Sequence, residues 1–153
     1  MVDVDGVISL FGFEPAARPP GVFTSVDGVA HYLSGAAGPA LRTLAERFEL
    51  VWCTGWEEKA NDYLPAALSL AGPLPYLSFD HAVGRANTHW KLDAIDAYTG
   101  PRRPLAWIDD AFDERCDAWA AARPGPTLLV RTDPAVGLVQ THVQALTDWA
   151  DQL

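Results

Sequence analysis

The chain has 153 residues, 49% of them apolar, which suits one globular domain with a sizeable core. Its formal net charge of −9 disfavours general binding to a nucleic-acid backbone, though a nucleic-acid end stays open as a partner. No apolar run is long enough to span a bilayer and no signal-peptide pattern is visible, so a soluble, cytoplasmic protein without a membrane partner is expected. Cys53 and Cys116 lie far apart and form no C-x-x-C pair; they read as reduced, buried thiols of a cytosolic protein. His31, His81, His89 and His142 show no zinc-ligand spacing.

Taken in chain order, Met1-Val2 leads as a very short strand into Asp3-Val4-Asp5-Gly6. Residues 6–37 are rich in Gly and Pro and read as a flap or insertion, with short strands at Val7 to Phe11 and Gly28 to Leu33. Leu41, Leu44, Ala45 and Phe48 recur at helical spacing, and Pro39 suits the first turn of that helix. Leu50 to Cys53 reads as a buried strand. Glu57 to Leu70 is helical, interrupted at Pro65. Leu74 to Phe79 is an edge strand because it contains Pro75. Thr88 to Tyr98 is a helix ended by Gly100-Pro101. Leu105 to Ile108 and Thr127 to Arg131 are strands; Ala111 to Ala122 and Leu138 to Gln152 are helices. Strands alternating with helices predict a parallel sheet covered on both faces.

In such sheets the site lies at the C-terminal strand ends. Asp3 and Asp5 fall there, as do Thr54-Gly55 and Asp109-Asp110. Lys91 opens the helix before the strand that ends in the acidic pair. Clustered carboxylates repel one another and need a cation to stay ionised. Hard oxygen ligands suit Mg²⁺. A carboxylate beside two cations can attack phosphorus, and Asp5, two residues on, can serve as general acid and base. Each piece alone is ordinary. Asp and Gly are common in turns, Asp and Thr cap helices, and most lysines are solvated. The four pieces together, in this order, point to phosphoryl chemistry.

The same residues resemble the motifs of the haloacid dehalogenase (HAD) superfamily. Asp3-Val4-Asp5-Gly6-Val7 resembles its D-x-D-G-[TV] motif, and Val51 to Gly55 its apolar strand ending in Thr or Ser. Lys91 resembles the motif lysine, and Trp107-Ile108-Asp109-Asp110 the acidic pair in its adjacent form. The segment Thr54 to Asn61 also resembles a subgroup of small bacterial HAD proteins, some attached to RNA-repair systems.

The resemblance implies a single small domain over 1–153, without a large cap. It implies a Rossmann-like three-layer α/β/α fold with a five-stranded parallel sheet in the order 3-2-1-4-5. Asp3 would be the nucleophile of a Mg²⁺-dependent phosphatase and Asp5 its general acid and base. Thr54 and Gly55 would bind the phosphoryl group, and Lys91 would offset its charge. Asp3, the Asp5 carbonyl, Asp109 and Asp110 would hold the metal.

Three rival readings remain at this level. A dehalogenase needs neither Asp5 nor the acidic pair. A receiver-like phosphoacceptor domain has the same residue types in another order. A degenerate HAD module acts only as an interaction domain.

Among the remaining residues, Trp52 and Trp107 read as core and Trp56 as equally core or pocket. His89 reads as a solvent-facing residue at a helix start. Lys59, Arg85 and Arg131 read as solvated charges rather than a second anion site, and Thr132-Asp133-Pro134 as a turn. The identity of the phosphorylated substrate and the oligomeric state are not encoded in these patterns.

Overall fold

The computed structural model describes residues 1–79 and 89–153. Its regular strands form two sheets. One is antiparallel, with β1 (Ser9–Leu10), β2 (Gly21–Val26) and β3 (Val29–Ser34) in the order β1-β3-β2. The other is parallel and pairs β4 (Leu105–Asp109) with β5 (Thr127–Arg131). The helices are α1 (Ala37–Ala45), α2 (Ala60–Ala67), α3 (Leu92–Thr99), α4 (Glu114–Ala122) and α5 (Gln140–Ala150).

The protein is α/β, but the five-stranded parallel sheet expected from the sequence is not what forms. Among the described residues, regular parallel pairing is confined to β4 and β5. The segments around Val2, Trp52 and Tyr76 run alongside β4 through single parallel bridges, Val2 to Ile108, Val2 to Trp52 and Trp52 to Tyr76. The reasons are local. The chain turns at Asp3-Val4, where the amides of Ile8 and Ser9 fold back onto the Val4 carbonyl. Pro75 has no N–H to give to a ladder.

Even single bridges align these segments firmly. The Val2 amide donates to Val51 O and the Cys53 amide to Val2 O. On the other side the Asp3 amide donates to Ile108 O and the Ile108 amide to Met1 O. Alternation then sends neighbours to opposite faces. Val2, Trp52, Ile108 and Val130 pack with Leu41 and Leu44 of α1, Leu64 of α2 and Leu146 of α5. Met1, Val51, Cys53 and Trp107 pack with Leu92 and Ile95 of α3 and Cys116 of α4. Trp52 and Trp107 are fully buried, one in each core, as their positions predict.

Residues 6–36 contain β1, β2, β3 and a 3₁₀ turn at Pro15–Ala17. Val26 pairs with Val29 across Asp27-Gly28, and both turn residues have positive φ, 50° and 82°. This is the two-residue hairpin turn whose twist matches that of the strands. Asp27 also holds the hairpin tip to the chain around α2: it pairs with Lys59 and accepts from Tyr63 Oη at 2.8 Å. Among the described residues, no helix is long and apolar enough to cross a membrane.

Candidate active site

Asp3 leaves the segment that lies between Trp52 and Ile108. Thr54 leaves the neighbouring segment, and Asp109 ends β4. These three exits lie side by side because their parent segments are parallel and in register. Lys91 arrives from the side, as the residue capping the start of α3. A cation there opposes the helix dipole, so it requires nearby anions.

Those anions are present. Lys91 Nζ lies 2.8 Å from Asp3 Oδ2 and 2.6 Å from Asp109 Oδ2. Lys91 is only 3% exposed and Asp109 fully buried, so neither charge is well solvated. Asp109 is further engaged: Oδ2 accepts from Trp107 Nε1 at 3.0 Å and Oδ1 from the Ala111 amide at 3.0 Å. Asp3 Oδ1 accepts from the Val4 amide at 2.8 Å. Asp110 is partly buried, and carboxylate oxygens of Asp3, Asp109 and Asp110 all lie within 4.8 Å of one another.

The electrostatics follow. Burial pushes the Asp3 carboxyl up to about 7, with Lys91 offsetting only part of the effect and Asp109 adding to it. Burial also raises Asp110, reinforced by Asp109. Burial alone would depress Lys91, but Asp3 and Asp109 together hold its ammonium above the ordinary value. One lysine therefore does not neutralise the cluster. Three hard carboxylates with excess negative charge are a donor set that fits a small divalent cation.

Gly6 makes the approach of Asp110 feasible. Its φ is +74°, and a Cβ there would overlap the Asp110 carboxyl carbon. Thr132, read from the sequence as part of a plain turn, ties the two acidic loops together. Its Oγ1 donates to Gly6 O at 2.9 Å and its amide to Asp109 O at 3.1 Å. No local pattern signals that role, because both partners are distant in the chain.

Asp5 stands apart from the cluster on a more exposed edge. Trp56 Nε1 donates to Asp5 Oδ2 at 2.9 Å. His31 Nδ1 lies 3.8 Å from Asp5 Oδ1 and 2.9 Å from Ser9 Oγ. The His31 and Trp56 rings meet edge to face at 4.7 Å. The hairpin strand β3 thus touches the Asp5 carboxylate through His31, a residue the sequence analysis used only to argue against zinc. Thr54 is buried, and its Oγ1 accepts from the Trp56 amide at 3.3 Å. Gly55 lies beside the Trp90 ring.

His89 does not face solvent as expected. It is buried against Trp107, with ring centres 5.5 Å apart, and burial lowers its pKa. Lys59 pairs with Asp27, and Arg131 donates to Phe112 O at 2.8 Å. Arg85, His81 and the first residue of the predicted Thr88 helix lie outside the described residues.

A D-x-D turn, a lysine at a helix start and an acidic pair, all converging at the exits of parallel segments, define a HAD-type α/β domain. The family model for the HAD domain in Swiss Army Knife RNA repair proteins matches residues 1–143, and the chain belongs to that family. The superfamily is one of hydrolases. No curated protein matches the chain.

Proposed function

We propose that the protein is a Mg²⁺-dependent phosphohydrolase acting through an aspartyl-phosphate on Asp3. The observation that carries this reading is the buried Lys91 between Asp3 and Asp109, with Asp110 completing an acidic cluster that one lysine does not neutralise.

Asp3 attacks the phosphorus of a phosphate monoester, and the bond to the leaving oxygen breaks. Asp5 gives its proton to that oxygen. Asp5 then takes a proton from water, which attacks the same phosphorus and breaks its bond to Asp3, releasing phosphate. Lys91 and the Thr54 hydroxyl bind the phosphoryl oxygens, with Gly55 lining their approach, and Lys91 offsets the charge that develops on them. Bound Mg²⁺ would neutralise the carboxylates and the phosphoryl group together.

Asp3, the Asp5 carbonyl and the acidic pair would hold that ion. Within the pair we assign direct ligation to Asp110. Asp109 is fully buried and already accepts from three protein donors, Lys91 and Trp107 on Oδ2 and the Ala111 amide on Oδ1, whereas Asp110 is only partly buried. Asp109 then serves to hold Lys91. Two buried free thiols suit a reducing compartment, and we place the enzyme in the cytoplasm.

Turnover of a generic phosphate ester, with Mg²⁺ and with chelator, tests the reading. Mg²⁺-dependent release of phosphate that chelator abolishes is expected. Chelator-insensitive turnover, or no turnover by folded protein with Mg²⁺, overturns it.

A further inference from the structure

A cleft of about 390 Å³ opens beside Asp5, between the turn that follows β1 and the hairpin strands β2 and β3. Four aromatic residues, Phe11, Phe13, Phe23 and Tyr32, are among those that line it. Phe13 and Phe23 pack against Tyr32 with ring centres 5.0 Å and 4.8 Å apart, tilted rather than stacked. Phe11 and Phe23 are 50% and 64% exposed. The Arg18 guanidinium sits over this group, 5.9 Å from the Phe23 ring centre and 5.5 Å from that of Tyr32.

Exposed aromatic rings clustered around a concavity are a costly surface unless something covers them. The position of the cleft says what does. Asp5 lines it, together with Ser9 and His31. In the phosphatase reading Asp5 protonates the leaving oxygen, so the rest of the leaving group begins at Asp5. From there the aromatic walls are the neighbouring surface.

We propose that this cleft binds a planar aromatic ring carried by the leaving group, making the substrate a nucleobase-bearing phosphate monoester. The inference rests on the phosphatase reading and adds the substrate class to it. The exposed rings of Phe11 and Phe23, which line the cleft, attract a flat heteroaromatic ring, whereas a sugar phosphate offers nothing to stack. The charge balance favours a single nucleotide over a long strand: the chain carries a net −9, and the described residues that line the cleft include no lysine or arginine to hold further phosphates.

Adenosine 5′-monophosphate and ribose 5-phosphate make the test, because they share sugar and phosphoryl group and differ only in the base. With Mg²⁺, kcat/KM for the nucleotide should exceed that for the sugar phosphate by about tenfold or more, the usual worth of one base stacked on an aromatic side chain. Phe23→Ala, at an exposed ring, should remove most of that ratio. Equal kcat/KM for the two esters in the wild type, or a ratio unchanged in Phe23→Ala, overturns the proposal.

Equilibrium binding of both esters to the Asp3→Asn protein separates this failure from failure of the phosphatase reading. If the wild type turns over neither of them nor a generic phosphate ester, the phosphatase reading fails. The cleft then stands if the nucleotide binds about tenfold tighter and Phe23→Ala in the same background abolishes the difference. It falls if the two esters bind equally.

Discussion

Lys91 and Asp109 are 18 residues apart in the chain, and their charged ends meet at 2.6 Å with almost no access to water. Burying a charge pair is costly, and removing one partner is costlier because the other is left uncompensated. Lys91→Met should therefore destabilise the fold by about 3–5 kcal/mol, since it strands both Asp109 and Asp3. Urea unfolding of the metal-free protein measures this. Wild-type stability in Lys91→Met would show that the pair is not buried as described.

Asp3→Asn should abolish turnover while leaving the fold intact, because an amide is no nucleophile. Phosphate release and a circular dichroism spectrum, taken on the same preparation, make the check. Retained turnover would remove Asp3 from the mechanism.

The raised carboxyl of Asp3 gives a pH dependence with a definite sign. Its folded value, about 7, lies above the ordinary aspartate value of 3.8. In metal-free protein its favourable contribution is complete below about pH 4 and is lost as pH rises towards 7. Asp3→Asn should therefore gain stability relative to wild type across that window. Mg²⁺ should reverse the trend, stabilising the wild type more strongly as pH rises through 7, because metal and proton compete for one carboxylate. Thermal melts at pH 5 and pH 8, with Mg²⁺ and with chelator, read both effects. A Mg²⁺ shift that shrinks with rising pH would contradict the assignment of Asp3 as ligand.

Gly6→Ala meets two obstacles at once, a left-handed backbone and the Asp110 carboxyl. A cost of about 1–3 kcal/mol is expected, with Mg²⁺ affinity reduced because Asp110 must move. Chemical unfolding and a Mg²⁺ titration followed by tryptophan fluorescence provide the two readings. An Ala variant that folds and binds Mg²⁺ like wild type would refute the close approach.

Trp56→Phe keeps the ring against His31 and removes only the N–H given to Asp5. Asp5 is partly solvated, so the effect should be moderate: kcat about three- to tenfold lower, with KM little changed. An unchanged kcat would mean that the indole packs beside Asp5 without orienting it.

Much of the site was legible in the sequence because its parts are local. Asp3, Thr54 and Asp109 each follow a short apolar run, and Lys91 opens a helix whose apolar spacing is readable. The hairpin is only half legible in the sequence. Asp27-Gly28, flanked by Val-Phe-Thr-Ser-Val and Val-Ala-His-Tyr-Leu-Ser, is a turn signal that locates β2 as well as β3, but the surrounding Gly and Pro have the composition of an irregular segment and mask it.

The order of the chemical groups, and the strand–helix alternation that sends them to one end of the parallel segments, are local properties of the chain. Hydrophobic periodicity and turn chemistry act over a few residues and do not depend on the rest of the chain. That the parallel segments beside β4 meet through single bridges rather than as full strands emerges from the tertiary structure. It alone brought Thr132 to Gly6, Trp56 and His31 to Asp5, and Asp109 to Lys91. Each of these depends on hydrogen bonds or packing between residues distant in the chain, and those follow from how whole layers settle against one another.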